Sequence, residues 1–139
     1  MPPISPPAAS PIPGTTASTL VVDSSAIAAL LFGEPEADAV RAAIDGAALA
    51  APMLLPIELG SVCRQKLRRA PETAARLMIA YDARGLLGIT LHEVDHDGVL
   101  RLAVTSGLSF YDACYLWLAR ALGAELVTLD KQLAAAARA

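Results

Sequence analysis

No stretch of about 18 or more uninterrupted apolar residues occurs in the chain, because charges or prolines break each run, so a membrane-spanning helix is not expected. The mean hydropathy of +0.48 and 55% hydrophobic residues give that absence weight, and they also exclude disorder over most of the length. A basic surplus is missing too. Eleven Lys and Arg against fourteen Asp and Glu leave a formal net charge of -3, which argues against binding nucleic acid by bulk electrostatics and allows only local contacts. Cysteine is down to Cys63 and Cys114, each inside an apolar helical pattern and neither in a CxxC arrangement, so reduced, buried thiols are expected. The opening segment PPISPPAASPIPGTTAS has neither a basic n-region nor an apolar h-region, and a cytoplasmic location follows as the expectation. Neither G-x-G-x-x-G nor G-x-x-x-x-G-K-[ST] occurs, which disfavours a nucleotide cofactor, and no internal repeat is visible.

What is present fits one domain, since 139 residues leave no room for two cores. Six of the ten prolines fall in the first thirteen residues, so residues 1–18 read as a flexible Pro-rich tail, or as the product of a start codon placed too early. The domain then spans 19–139. Its apolar excess suits a parallel sheet covered on both faces, plus a surface that meets a partner.

Thr19 to Val22 form a short β-branched apolar run ending on Asp23, and Ser24 or Ser25 can cap the helix SAIAALLFGE behind it. Gly33 and Pro35 punctuate, PEADAVRAAIDG reads as a second helix, and ALAAP as a weak second strand. Pro56 suits the first position of the helix PIELGSVCRQKLRR, and Pro71 opens another helix reaching Arg84. A third strand is expected around LGITL, then a helix from about Asp97 to Ser106 closed by Gly107. Ser109 and Asp112 have capping-box spacing ahead of FYDACYLWLARAL, AELVTL is the fourth strand, and Asp130 begins the helix KQLAAAAR. Strands alternating with helices call for parallel α/β architecture.

Four acids hold equivalent places in this pattern: Asp23 and Asp130 directly after strands, Glu58 and Asp112 in the first turns of helices. In an open parallel sheet such places converge on the crevice beyond the carboxyl ends of the strands. Each also has an ordinary structural explanation. Asp112 can complete a capping box, Asp130 can be an N-cap, Glu58 a first-turn acid favoured by the helix dipole, and Asp23 a turn former. Arg64, Lys66, Arg68 and Arg69 form the one dense basic cluster, with Arg64, Arg68 and Arg69 as candidate RNA phosphate contacts; a solvated helix face explains the cluster equally well.

The surroundings of the acids carry a resemblance. VVDSSAIAALLFGE resembles the opening of a PIN domain, PIELGSVCRQKLRR its second block, and SFYDACYLWLARALGAELVTLD its third and fourth, all in order and together covering Thr19 to the C-terminus. The resemblance is to VapC-like ribonucleases, toxins of type II toxin–antitoxin systems. It implies a three-layer α/β/α fold with a short central parallel sheet of four strands and about seven helices. A fifth strand stays open, because related proteins often add one where this chain stops after KQLAAAARA. It further implies an acidic centre of Asp23, Glu58, Asp112 and Asp130 with Thr128 beside it, a homodimer, a VapB-like antitoxin and an RNA substrate. Carboxylates alone would select Mg²⁺ or Mn²⁺. His92 and His96, in LHEVDHDG, lie away from all four blocks and read as part of a solvated strand-to-helix loop, so zinc is not expected. Two alternatives stand beside this reading. Another Mg²⁺-dependent phosphohydrolase would need a D-x-D pair where Asp23 is followed by Ser24 and Ser25, and a noncatalytic binding module would not need all four acids.

Overall fold

A computed structural model describes residues 18–139; the expected tail, apart from Ser18, lies outside the described residues. Ser18 already belongs to the sheet, since its carbonyl accepts from the Ala48 amide at 3.0 Å. Four parallel strands, β1 (Thr19–Val22), β2 (Ala48–Pro52), β3 (Thr90–His92) and β4 (Glu125–Val127), run in the order β3-β2-β1-β4. The registers pair Leu20 with Leu49 on one side of β1 and with Glu125 on the other. Seven helices are formed by the described residues: α1 (Ser24–Phe32), α2 (Ala37–Ile44), α3 (Leu54–Arg69), α4 (Ala74–Asp82), α5 (His96–Ser106), α6 (Phe110–Leu122) and α7 (Lys131–Arg138).

The alternation of side chains along a strand divides the core in two. Val21 and Ala50 point to the face covered by α5, α6 and α7, where Val99, Tyr115, Leu116 and Leu133 pack. Leu20, Val22, Leu49 and Ala51 point to the opposite face, against Ile27 of α1 and Leu55 and Leu59 of α3. This is the expected three-layer arrangement. Among the described residues no helix is long and apolar enough to cross a membrane, and no fifth strand forms.

Three boundaries differ from the sequence reading. Helix α3 starts at Leu54 rather than Pro56, which makes Pro56 its third residue; the missing N–H still costs nothing, because first-turn amides have no helical partner. The third strand expected around LGITL is confined to Thr90–His92, because 83–87 tighten into a 3₁₀ turn that Gly88 ends at φ 66°. Likewise the helix expected from Pro71 to Arg84 resolves into a 3₁₀ turn over Pro71–Thr73, α4, and that second 3₁₀ turn.

Helices α5 and α6 approach closely at Gly98, where a Cβ would sit 2.7 Å from Trp117 Nε1 and 3.0 Å from Asp95 Oδ2. Alanine is the better helix former by about 1 kcal/mol, yet it cannot enter without moving a half-buried indole. Gly98→Ala is therefore expected to destabilise the fold, by about 1–3 kcal/mol from overpacking. Urea unfolding of the two proteins checks the sign.

Candidate active site

Strand order reverses at β1: the chain moves outward through β2 and β3, then returns to place β4 on the other side. Such switch points open a crevice at the carboxyl ends of the strands. Asp23 leaves β1 at that point and Thr128 and Asp130 leave β4, with the Asp23 amide bonded to the Val127 carbonyl at 3.2 Å. The α-helices that begin there bring the other two acids.

Asp23 is the N-cap of α1, a role the sequence reading offered to Ser24 or Ser25. Its Oδ1 accepts from the Ala26 amide at 3.0 Å and from Ser25 Oγ at 2.7 Å, and its Oδ2 from Thr128 Oγ1. The side chain is buried, with 3% of its surface exposed. Burial pushes its carboxyl above the usual range despite the three donors, and the Asp130 charge adds to the rise. Asp130 caps α7, its Oδ1 accepting from the Leu133 amide at 2.9 Å.

Asp112 does not close a capping box. Ser109 Oγ accepts from the Asp112 amide at 3.1 Å, but among the described residues no bond returns from the Asp112 carboxylate to the Ser109 backbone. Burial and then the Asp130 charge raise the pKa of that carboxylate, against the Ser109 side chain, which lowers it. Glu58 is the fifth residue of α3, so the first-turn role expected for it does not exist. Its Oε1 accepts from Tyr115 Oη at 2.6 Å. Burial lifts its pKa, with Asp112 and Asp23 contributing. The four acids thus sense one another across a shared crevice, and among the described residues none is in an ion pair. No three of them are drawn into a ready-made metal-holding cluster among the described residues. Drawing them closer would set like charges against one another.

The family model of the PIN domain matches residues 20–139. The chain belongs to the PIN-domain family. It is 32% identical over 120 residues to Ribonuclease VapC3 of Pyrobaculum aerophilum, spanning 83% of this chain and 92% of that protein. A shorter segment of 39 residues is 54% identical to Exonuclease VapC9 of the same organism, covering 28% of this chain and 29% of that one. Among solved structures, that of PAE2754 from Pyrobaculum aerophilum superposes with a TM-score of 0.62 at 29% identity, over 87% of each chain.

Within this PIN domain, sequence reasoning passed over two residues. Ser25 ties α1 to the turn after β4: its Oγ donates to Asp23 and accepts from the Leu129 amide at 2.9 Å. Tyr115, buried to 1%, joins α6 to α3 through Glu58. The only signal for Tyr115 was its place one turn after Asp112 in an apolar helix, where a core role explains an aromatic equally well. The basic cluster lies apart from the acids. Arg64 and Arg68 follow Glu58 along α3 by about 9 and 15 Å of helix axis, on an exposed face. Lys66 is taken by Glu34 at 2.8 Å, whereas Arg64, Arg68 and Arg69 are in no ion pair among the described residues.

The raised carboxyls fix a sign for the metal-free PIN domain. A group whose folded pKa exceeds its unfolded one stabilises the fold fully below the unfolded value, and that contribution is lost as pH rises through the folded one. Melting temperature should therefore climb on mild acidification into the carboxylate range. At neutral pH Asp23→Asn, which keeps an acceptor for Ala26 and removes the buried charge, should melt at or above wild type. Asp23→Ala, which strips Ala26, Ser25 and Thr128 of their acceptor, should lose about 1–3 kcal/mol per buried group left unpaired. Thermal melts of the three proteins across pH test both statements.

Proposed function

We propose that the chain is a Mg²⁺- or Mn²⁺-dependent endoribonuclease acting as the toxin of a toxin–antitoxin pair. One observation carries this reading: four carboxylates from four separate elements face one crevice at the sheet's switch point, where burial and the neighbouring acids raise the carboxyls of Asp23, Glu58 and Asp112, and none of the four has a cationic partner among the described residues. Oxygen-only donors of this kind suit a hard divalent cation. Asp23, Glu58, Asp112 and Asp130 would hold it, and the chemistry such an ion supplies when bound is activation of water and compensation of charge on the phosphoryl oxygens.

The chain's own groups prepare the site. Thr128 and Ser25 hold Asp23 in one orientation, and Thr128 Oγ1 also accepts from the Asp130 amide at 3.0 Å, which links the first acid to the last. Tyr115 fixes Oε1 of Glu58, and the Ser24 hydroxyl also supports that carboxylate. The Asp112 carboxylate has no backbone donor among the described residues and is supported by the Ser109 side chain. The similarity to Ribonuclease VapC3 supports RNA as the substrate and a VapB-like antitoxin as the partner. Exposed apolar side chains such as Ile57 at 70% and Tyr111 at 60% beside the crevice suit that partner, and a homodimer is proposed as well.

The proposal is tested by incubating single-stranded RNA with and without Mg²⁺. Wild type should cleave only with the ion and should melt higher in its presence; Asp23→Asn and Asp112→Asn should lose cleavage and the metal-induced rise. Active variants together with a wild type indifferent to metal would remove the assignment. Expression of the chain alone should arrest growth, and co-expression of its antitoxin should restore it. For the basic face, replacing Arg64 and Arg68 with Ala should weaken RNA binding and lower the slope of affinity against salt by about 1.4 on single strands. An unchanged slope would leave that face merely solvated.

A further inference from the structure

Tyr111, on the first turn of α6 and next to Asp112, stands between two cavities. One, of about 370 Å³, has Glu58, Ser24 and Ser61 in its wall, so that one of the four acids opens onto it. The other, of about 460 Å³, forms where β2 and β3 end and α5 and α6 begin. Leu54 and Tyr111 line both, so the second cavity adjoins the first across a shared wall. Its remaining lining includes His92, His96 and Phe110, and the rings of His96 and Phe110 meet edge to face at 6.3 Å and 76°. The two histidines expected in a solvated loop thus border a cavity.

We infer that this second cavity is a subsite for an unpaired nucleobase of the RNA strand, held next to the cleaved phosphodiester; the inference rests on the nuclease reading of the adjoining acids. The chain has six Phe, Trp and Tyr residues and two histidines. Two of the former and both of the latter gather here from three different elements. Flat π-faces of this kind are what unpaired bases stack on, and imidazole nitrogens with the Glu93 carboxylate in the same wall can meet the donors and acceptors of a base edge. The volume falls within the roughly 300–1,000 Å³ of small-ligand sites. Among the described residues no Lys or Arg lines the cavity, so its chemistry addresses a base rather than a phosphate. An apolar partner helix fits less well, because it would bury two imidazoles and a carboxylate without pairing them.

The test uses the full chain without divalent ions and measures affinity for fluorescent single-stranded RNA homopolymers and for an abasic ribose-phosphate strand of equal length and charge, at one salt concentration. Wild type should prefer a base-bearing strand by about 5- to 150-fold, the worth of one base–aromatic stack. Tyr111→Ala should collapse that ratio toward one, Tyr111→Phe should keep it, and His96→Ala should lower it. Tyr111 is exposed, so these changes remove little core. A wild-type ratio near one, or an unchanged ratio in Tyr111→Ala, overturns the subsite and leaves the cavity to a protein partner. Cleavage of the same strands with Mg²⁺ is followed in parallel. Cleavage without base preference would overturn the subsite and keep the nuclease, whereas base preference without cleavage would do the reverse.

Discussion

A carboxylate cannot be buried in an apolar sheet end unless its oxygens are met by donors, and Asp23 imposes that condition on everything around it. Its partners are the Ala26 amide, supplied by the helix that Asp23 itself caps, and the hydroxyls of Ser25 and Thr128. Hydrogen bonds to a charged acceptor are each worth about 1.5–3 kcal/mol, yet the carboxyl still sits above its usual range. Desolvation therefore exceeds what the donors return. The cost is local, and it buys a fixed first acid. Meeting it brings the end of β4 against the end of β1, because Thr128 reaches Asp23 and the Leu129 amide reaches Ser25.

The other acids divide the remaining work according to how tightly each is held. Asp130 is pinned through one oxygen to its own helix, and Glu58 through one oxygen to Tyr115 across the space between α3 and α6. Asp112 has the Ser109 side chain beside its carboxylate and no backbone donor among the described residues. Helix N-termini thus do double duty here. Their capping needs explain why acids and hydroxyls stand at these positions, but the lone pairs left over after capping are what face the crevice.

The unusual apolar content finds most of its explanation in the two-faced core. Strand β1 buries Leu20 and Val22 on one side and Val21 on the other, so even four residues of strand consume apolar side chains from both layers. The remainder stays at the surface. Ile79, Leu86 and Val104 are 70%, 88% and 76% exposed and lie on α4, the following 3₁₀ turn and α5, on opposite faces of the sheet. That distribution agrees with more than one protein contact, as proposed for an antitoxin and a second copy of the chain.

Much of this was legible in the order of residues. Alternation of short apolar runs with helical periodicity gave the parallel sheet, and a strand-ending Asp followed by small hydroxyl residues marked the first acid, because both signals are local. Strand ends and helix first turns marked all four acids as candidates, and the resemblance of VVDSS, PIELG, SFYDA and VTLD to PIN-domain blocks implied a shared role for them. What stayed hidden was every relation between distant segments. Whether the Asp112 carboxylate capped its helix or came near Asp130 depended on where β4 and α7 end relative to α6. Tyr115 looked like core until α6 packed beside α3, and His92 and His96 looked like loop until β3 ended beside α6. Sequence determined which groups were available and on which ends of which elements; the tertiary structure alone decided which of them meet, because contact across a sheet is set by strand order and packing rather than by spacing along the chain.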